Sequence, residues 1–276
     1  MQKLDFHNKH TNFYECKVFS ERHNFSHYSF LVQAFEQNVL NECNKKFLLK
    51  FIKFLENKKN IYSQLYQDMF AEFIVGNESK KTFLEFGATN GIEYSNSYSL
   101  EKSFLWKGAL AEPDPQWHKD LKKNRSNTTI IYDCVWSISN EKLNFLSSNK
   151  GVYSTLDVFK FSDKDTMPGN SKKRLENFKQ ITVNTISLND LINEHLNGIA
   201  PSYISVDTEG SEYEILLNLD FKKYRPKVFT VEHNYTSYEK KIDDLMNLNG
   251  FKRVFKNLTF FDAWYVCEKT LDKFDI

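Results

Sequence analysis

Two groups of residues in this chain have types and spacings that suit chemistry. In residues 82–91, TFLEFGATNG, an apolar run opens into Gly87 and Gly91, and 25 positions after Gly87 a second apolar run, 108–111, ends in Glu112. A strand entering a glycine turn, followed one helix later by a strand ending in a carboxylate, is how α/β proteins hold a nucleoside-bearing cofactor. The glycines let backbone approach a ligand with no Cβ in the way. The carboxylate accepts from the two ribose hydroxyls, and a hydrogen bond to a charged group contributes about 1.5–3 kcal/mol. The glycines alone would be a weak sign, because they can simply end a strand; Glu112 in step with them marks a nucleoside site.

The second group lies further on. The apolar run 203–207 ends in Asp207, with Glu209 two residues later, and the run 227–233 ends in Glu232 and His233. Ligands of open α/β sheets lie outside the carboxyl ends of the strands, and neighbouring strands are about 4.8 Å apart, so Asp207 and His233 are expected to face one pocket. A histidine with an ordinary pKa near 6.5 suits a general base. Alternatively, Asp207, Glu232 and His233 could ligate a divalent metal (Mg, Mn or Fe) that acidifies a hydroxyl. Glu209, Glu212 and Glu214 have a plainer reading, as acids favoured by a helix N-terminus. Asn96 and Ser97 likewise suit an N-cap, with a polar ligand contact as the other reading.

The elements that position these residues follow from hydrophobic periodicity. Apolar positions at helical spacing in residues 25–58 (Phe30, Leu31, Ala34, Phe35, Val39, Leu40, then Phe47, Leu48, Phe51, Ile52, Leu55) predict two amphipathic helices. From Tyr62 onward strands are expected at 82–86, 108–112, 129–134, 181–184, 203–207, 227–233, 251–256 and 263–268, and helices at 63–75, 96–105, 115–123, 187–196, 211–218 and 237–248. The alternation implies a mainly parallel sheet with right-handed crossovers. About six residues, 257–262, join the last two strands. A parallel crossover needs about a dozen or more, so the sheet should end in an antiparallel hairpin. The polar stretch 140–180 is expected to be a mobile lid or a surface loop. The division expected is an N-terminal helical extension, 1–60, and a main domain, 61–276.

Composition narrows the class. Lys plus Arg (37) nearly balance Asp plus Glu (36) and form no basic stripe, which argues against nucleic acid. Residues 1–13 lack the apolar core of a signal peptide, and no apolar run approaches a membrane span, so a cytoplasmic protein is expected. Cysteines 16, 43, 134 and 267 are too dispersed for a zinc knuckle or disulfide framework.

Several motifs in order carry a family resemblance. Residues 85–96 (EFGATNGIEYSN), 106–108 (WKG), 112–115 (EPDP), 63–68 (SQLYQD), 205–210 (SVDTEG) and 231–233 (VEH) together resemble the FkbM family of S-adenosylmethionine (SAM) methyltransferases, from about residue 62 to residue 268. Glu85 stands where many members carry aspartate. The resemblance implies a class I methyltransferase, Rossmann-like, doubly wound sheet, and O-methylation of sugars or natural products. Glu85 would then meet the SAM ammonium, and Asp133 and Cys134 would lie near its adenine. The expected cofactor set is Glu85, Gly87, Ala88, Gly91, Asn96, Glu112, Pro113, Asp133, Cys134 and Asp207, with His233 and Asp207 catalytic. The expected acceptor is a saccharide, nucleotide sugar or similar polyhydroxyl metabolite. The N-terminal helices could cap the domain, bind substrate or mediate a homo-oligomer. Competing readings are an NAD-dependent oxidoreductase, disfavoured by the glycine pattern and the final hairpin, and a non-catalytic binding module on the same fold.

Overall fold

The computed structural model describes residues 45–56, 58, 61–256 and 258–274. Helix α1 (Lys45–Leu55) is the second of the two predicted N-terminal helices; the first lies outside the described residues. After α2 (Gln67–Val75) the chain alternates: β1 (Thr82–Phe86), α3 (Tyr98–Phe104), β2 (Lys107–Ala111), α4 (Pro115–Asn124), β3 (Thr129–Ile131). An insert follows with β4 (Cys134–Trp136), β5 (Lys142–Ser148), β6 (Thr155–Leu156), α5 (Pro168–Leu175) and β7 (Phe178–Ser187). The alternation resumes with α6 (Leu188–His195), β8 (Tyr203–Val206), α7 (Glu212–Leu217), β9 (Val228–Glu232), α8 (Tyr238–Leu248), β10 (Phe251–Val254), β11 (Asp262–Cys267) and the short α9 (Glu268–Leu271).

Seven strands form the central sheet in the order β10-β11-β9-β8-β1-β2-β3. Strands β9, β8, β1, β2 and β3 run parallel, while β11 slots antiparallel between β9 and β10. The final hairpin expected from the short 257–262 connection is therefore present. Side chains alternate across a strand with period two, and the core divides accordingly. Leu84, Phe86, Ala109, Ala111, Ile204, Val206, Phe229, Val231, Ala263 and Tyr265 pack on one face with α6, α7 and α8. Phe83, Leu110, Tyr203, Val228, Trp264 and Val266 pack on the other with α1 and α2. Both faces are covered, so the parallel strands read as continuous apolar runs.

Helix α1 spends its apolar face within the chain. Phe47 stacks on Phe255 (5.1 Å between centroids) and Phe51 meets Phe70 (5.6 Å) and Trp264 (6.2 Å). No described helix is long and apolar enough to cross a membrane.

Two expectations are corrected. The strand predicted over 129–134 breaks after Ile131: β3 pairs with β2 at the sheet edge, and Cys134 pairs instead with Thr185 in a second sheet. The stretch 140–180 is no loose lid. With the neighbouring strands it forms a four-stranded sheet, β4-β7-β5-β6, and a helix, and the predicted strand 181–184 is the middle of β7 in that sheet. The fold hides this from periodicity, because β5 and β7 are half exposed and polar on one face.

Candidate active site

Strand β1 delivers Glu85 to the floor of the glycine turn, where the carboxylate is buried and already engaged. It accepts from the Asn96 amide (2.6 Å), the Ser95 hydroxyl (3.0 Å) and the Ser97 hydroxyl. Arg125, fully buried at the end of α4, locks the same loop by donating to Gly91 O (3.1 Å), Ser95 Oγ (3.2 Å), Ser97 Oγ (2.9 Å) and Glu101 (2.5 Å). Burial raises the Glu85 pKa, opposed by Arg125 and these donors. Glu85 thus shapes the turn with both oxygens. Ser97 occupies the N-cap position of α3 but gives its hydroxyl to Glu85, so the capping reading does not hold for its side chain.

The two glycines have different work. Gly87 has φ +72°, and a Cβ there would lie 2.1 Å from the Asp207 carbonyl oxygen. Gly91 has φ +78°, and its Cβ would strike Arg125 Cγ (2.6 Å) and Leu121 Cδ1 (2.7 Å). Gly91 therefore admits the arginine, a packing role, rather than clearing space for a ligand. Buried Ala88 follows Gly87 and donates its amide to Ala111 O (3.4 Å). Asn96 donates its amide group to Ser205 Oγ (2.9 Å), while its buried Oδ1 has no hydrogen-bond partner. An orphaned acceptor of this kind fits a ligand ammonium.

At the end of β2, Glu112 accepts from the amides of Thr89 (2.8 Å) and Asp114 (2.9 Å), bridging the glycine turn to the segment through Pro113. Each oxygen keeps a lone pair, which fits the ribose diol. Burial pushes its pKa up to about 8, against those two donors. Asp133 and Cys134 lie beyond β3; burial, then Glu112 and Asp133, push the Cys134 thiol up to about 12. Beside them the half-exposed Tyr132 ring lies 4.2 Å from the His118 ring.

The second group converges at the ends of β8 and β9, with one change of membership. Asp207, Glu209 and Glu232 bring carboxylate oxygens within 4.8 Å of one another. Burial, then the neighbouring carboxylates, raises Asp207 and Glu232 well above the usual range. Glu232 Oε2 is buried with no hydrogen-bond partner. Glu212, read from sequence as a helix-start acid, closes the loop before it by accepting from the Thr208 amide (2.8 Å), Thr208 Oγ1 (3.0 Å) and the Gly210 amide (3.0 Å).

His233 is not in this group, which corrects the expected trio of Asp207, Glu232 and His233. Its ring is buried beside α8 and β10, with Nδ1 accepting from the Tyr235 amide (3.1 Å) and Nε2 3.2 Å from Arg253. Burial, opposed by Glu239 and reinforced by Arg253, lowers its pKa to about 4. Both nitrogens face donors of the chain itself. The geometry therefore gives no support to a base or metal-ligand role for His233.

Several supporting residues escaped the sequence reading. Arg174, fully buried on α5, donates to Glu209 (2.6 Å) and Asp163 (2.9 Å). Thr155 Oγ1 donates to the carbonyls of Thr208 (3.3 Å) and Glu209 (3.0 Å), so the insert clamps the 207–210 turn. Asp262, at the start of β11, takes Gln67 Nε2 (3.1 Å) and Trp264 Nε1 (3.0 Å), and burial pushes it up to about 7. The Ser-Gln-x-x-Gln-Asp run thus reaches toward the acidic group through Gln67. The Asp-x-Glu spacing was the available signal for Glu209; Arg174 sits in a Ser/Lys-rich stretch that offered none.

A doubly wound sheet with a glycine turn at β1, a carboxylate at β2 and an antiparallel last strand is the Rossmann-like architecture of SAM-dependent methyltransferases. The Methyltransferase FkbM domain model matches residues 85–263, well over half of the sequence, and the chain belongs to that family. Its SAM dependence follows from membership. No curated protein matches the chain by sequence. Among solved structures, precorrin-6y C5,15-methyltransferase from Geobacter metallireducens is similar at 13% identity, TM-score 0.35, over 73% of this chain and 79% of that one. The Methanococcus jannaschii fibrillarin pre-rRNA processing protein is similar at 13% identity, TM-score 0.37, over 69% and 68%. The delta-N METTL16 methyltransferase domain aligns at 9% identity, TM-score 0.36, over 79% and 93%.

Proposed function

We propose that the protein transfers the methyl group of SAM to a hydroxyl oxygen of a saccharide, nucleotide sugar or related polyhydroxyl metabolite. The observation that carries this reading is the meeting of Asp207, Glu209 and Glu232 at the strand ends, with the Asp207 backbone pressed against the glycine turn at Gly87. Ionised carboxylates only accept, and hydroxyl groups are donors that suit them. Glu112 and Asn96 Oδ1 are the groups that would hold the ribose and the ammonium.

SAM supplies a methyl group on a sulfonium: the acceptor oxygen bonds the methyl carbon as the carbon–sulfur bond breaks, leaving a neutral thioether. The chain's part is to orient the hydroxyl and take its proton on a carboxylate of the Asp207 group. Arg174 fixes Glu209 for that purpose, and the insert holds the turn still.

The test is a turnover screen with methyl-labelled SAM against nucleotide sugars, phosphosugars and free sugars, with mass spectrometry of the products. A methyl ether is the expected product. Transfer to nitrogen or carbon acceptors only would overturn the reading, and a failure to bind SAM in calorimetry would favour a non-catalytic module.

A further inference from the structure

Within the site just proposed, and resting on that reading for its role in catalysis, the three carboxylates pose a problem of their own. Asp207, Glu209 and Glu232 come from two adjacent strand ends, and one oxygen of each lies within 4.8 Å of the others. Neighbouring Glu212 and Asp262 add to the negative charge there. Arg174 offsets at most one of these acids, and it divides its ion pairs between Asp163 and Glu209. Burying like charges together without compensation is costly.

A second observation points to what is missing. Glu232 is only 8% exposed, and its Oε2 is buried without any hydrogen-bond donor. Buried carboxylate oxygens without a donor are rare, because the lost hydration is not replaced. Thr155 and Ser162 donate to the Glu209 carbonyl instead of a carboxylate. Glu212 is spent on Thr208 and Gly210. Arg174 reaches Glu209 through Oε2, which leaves Glu209 Oε1 unclaimed by it.

We propose that Asp207, Glu209 and Glu232 bind one divalent cation of the hard, oxygen-seeking kind, Mg²⁺ or Mn²⁺. Three carboxylates without sulfur or imidazole are the ligand set such ions take, with water or an acceptor hydroxyl in the remaining positions. At this place the ion would supply positive charge that acidifies an acceptor hydroxyl. The ligand set differs from the sequence expectation in one member: Glu209, turned by its left-handed backbone (φ 60°), stands in place of His233.

The experiment is Mn²⁺ titration of the full-length protein, without SAM or acceptor, followed by electron paramagnetic resonance of the free ion. Saturable binding of one Mn²⁺, displaced by Mg²⁺, is expected. Glu209→Gln and Glu232→Gln should each weaken it by about tenfold or more, while His233→Asn leaves it within about twofold; a tenfold change corresponds to about 1.4 kcal/mol. Circular dichroism melts identify any variant that fails to fold, and the other glutamate variant then carries the comparison. No saturable site, or wild-type affinity in either folded glutamate variant, overturns the proposal; so does loss of the site in folded His233→Asn alone. Because the readout is ion binding and not turnover, methyl transfer to a hydroxyl without ion binding removes the cation and leaves the function standing. Ion binding without methyl transfer to any hydroxyl does the reverse.

Discussion

Gly87 and Asp207 touch through backbone: a Cβ on Gly87 would lie 2.1 Å from the Asp207 carbonyl oxygen, at a φ of +72°. The glycine turn and the acidic group are therefore one construction, with the end of β8 forming a wall of the turn that follows β1. Gly87→Ala combines a steric clash with a left-handed backbone that costs an L-residue roughly 1–2 kcal/mol. SAM affinity should fall about tenfold or more, with a lower melting temperature. Calorimetry and a thermal melt on the same sample check both, and unchanged SAM affinity would show that the two parts are uncoupled.

Glu112→Ala removes the acceptor at the end of β2 and leaves the Thr89 and Asp114 amides without their side-chain partner. SAM binding should weaken by about tenfold or more, because the ribose loses its acceptor and two backbone amides lose theirs. An unaltered dissociation constant would move the ribose elsewhere.

The same residue sets a pH dependence. Its pKa is raised by burial from the ordinary 4.5 to about 8, so the folded protein binds more protons than the unfolded chain between those values. Stability then falls as pH rises across that window, and the contribution is fully present only below the unfolded pKa. Melting temperatures of the ligand-free protein from about pH 5 to about pH 8 should decline, and Glu112→Gln should flatten part of the slope. Parallel slopes in both proteins would count against the assignment.

Arg125 holds four groups of the β1–α3 region from a fully buried position. Arg125→Met takes a donor from Gly91 O, Ser95 and Ser97 and leaves Glu101 to Lys102 and Thr128, and losing a hydrogen bond to a charged group costs about 1.5–3 kcal/mol. Urea unfolding should show that loss, and KM for SAM should rise more than kcat falls. A loss of kcat with KM unchanged would place Arg125 in the chemistry instead of the loop.

Asp207 and His233 separate the two readings of the second group. Asp207→Asn should reduce turnover at saturating SAM and acceptor by about a hundredfold or more, the scale of lost acid–base catalysis. His233→Asn should keep kcat within a few-fold, because the ring's two nitrogens face the Tyr235 amide and Arg253. Comparable losses in both variants would restore the histidine to the mechanism.

Much of this was legible in the sequence because the central strands are buried on both faces. Leu84, Ile204 and Val231 on one side and Phe83, Tyr203 and Val228 on the other make apolar runs that stand out. The short 257–262 connection fixed the direction of the last strand by reach alone. Glu112 was readable because its place depends only on register with the strand before it. The insert was not readable in the same way: β5 and β7 are polar on one face, and their pairing joins residues thirty or more positions apart.

The sequence by itself determined the doubly wound sheet, the glycine turn at Gly87, Glu112 after the next strand, and Asp207 at the end of its strand, because these follow from local pattern and strand register. Tertiary structure alone decided the rest. Whether His233 or Glu209 joins Asp207 depends on the direction a side chain takes after its strand ends. The left-handed turn at Glu209, held by Arg174 from an insert that packs across the molecule, sets that direction here.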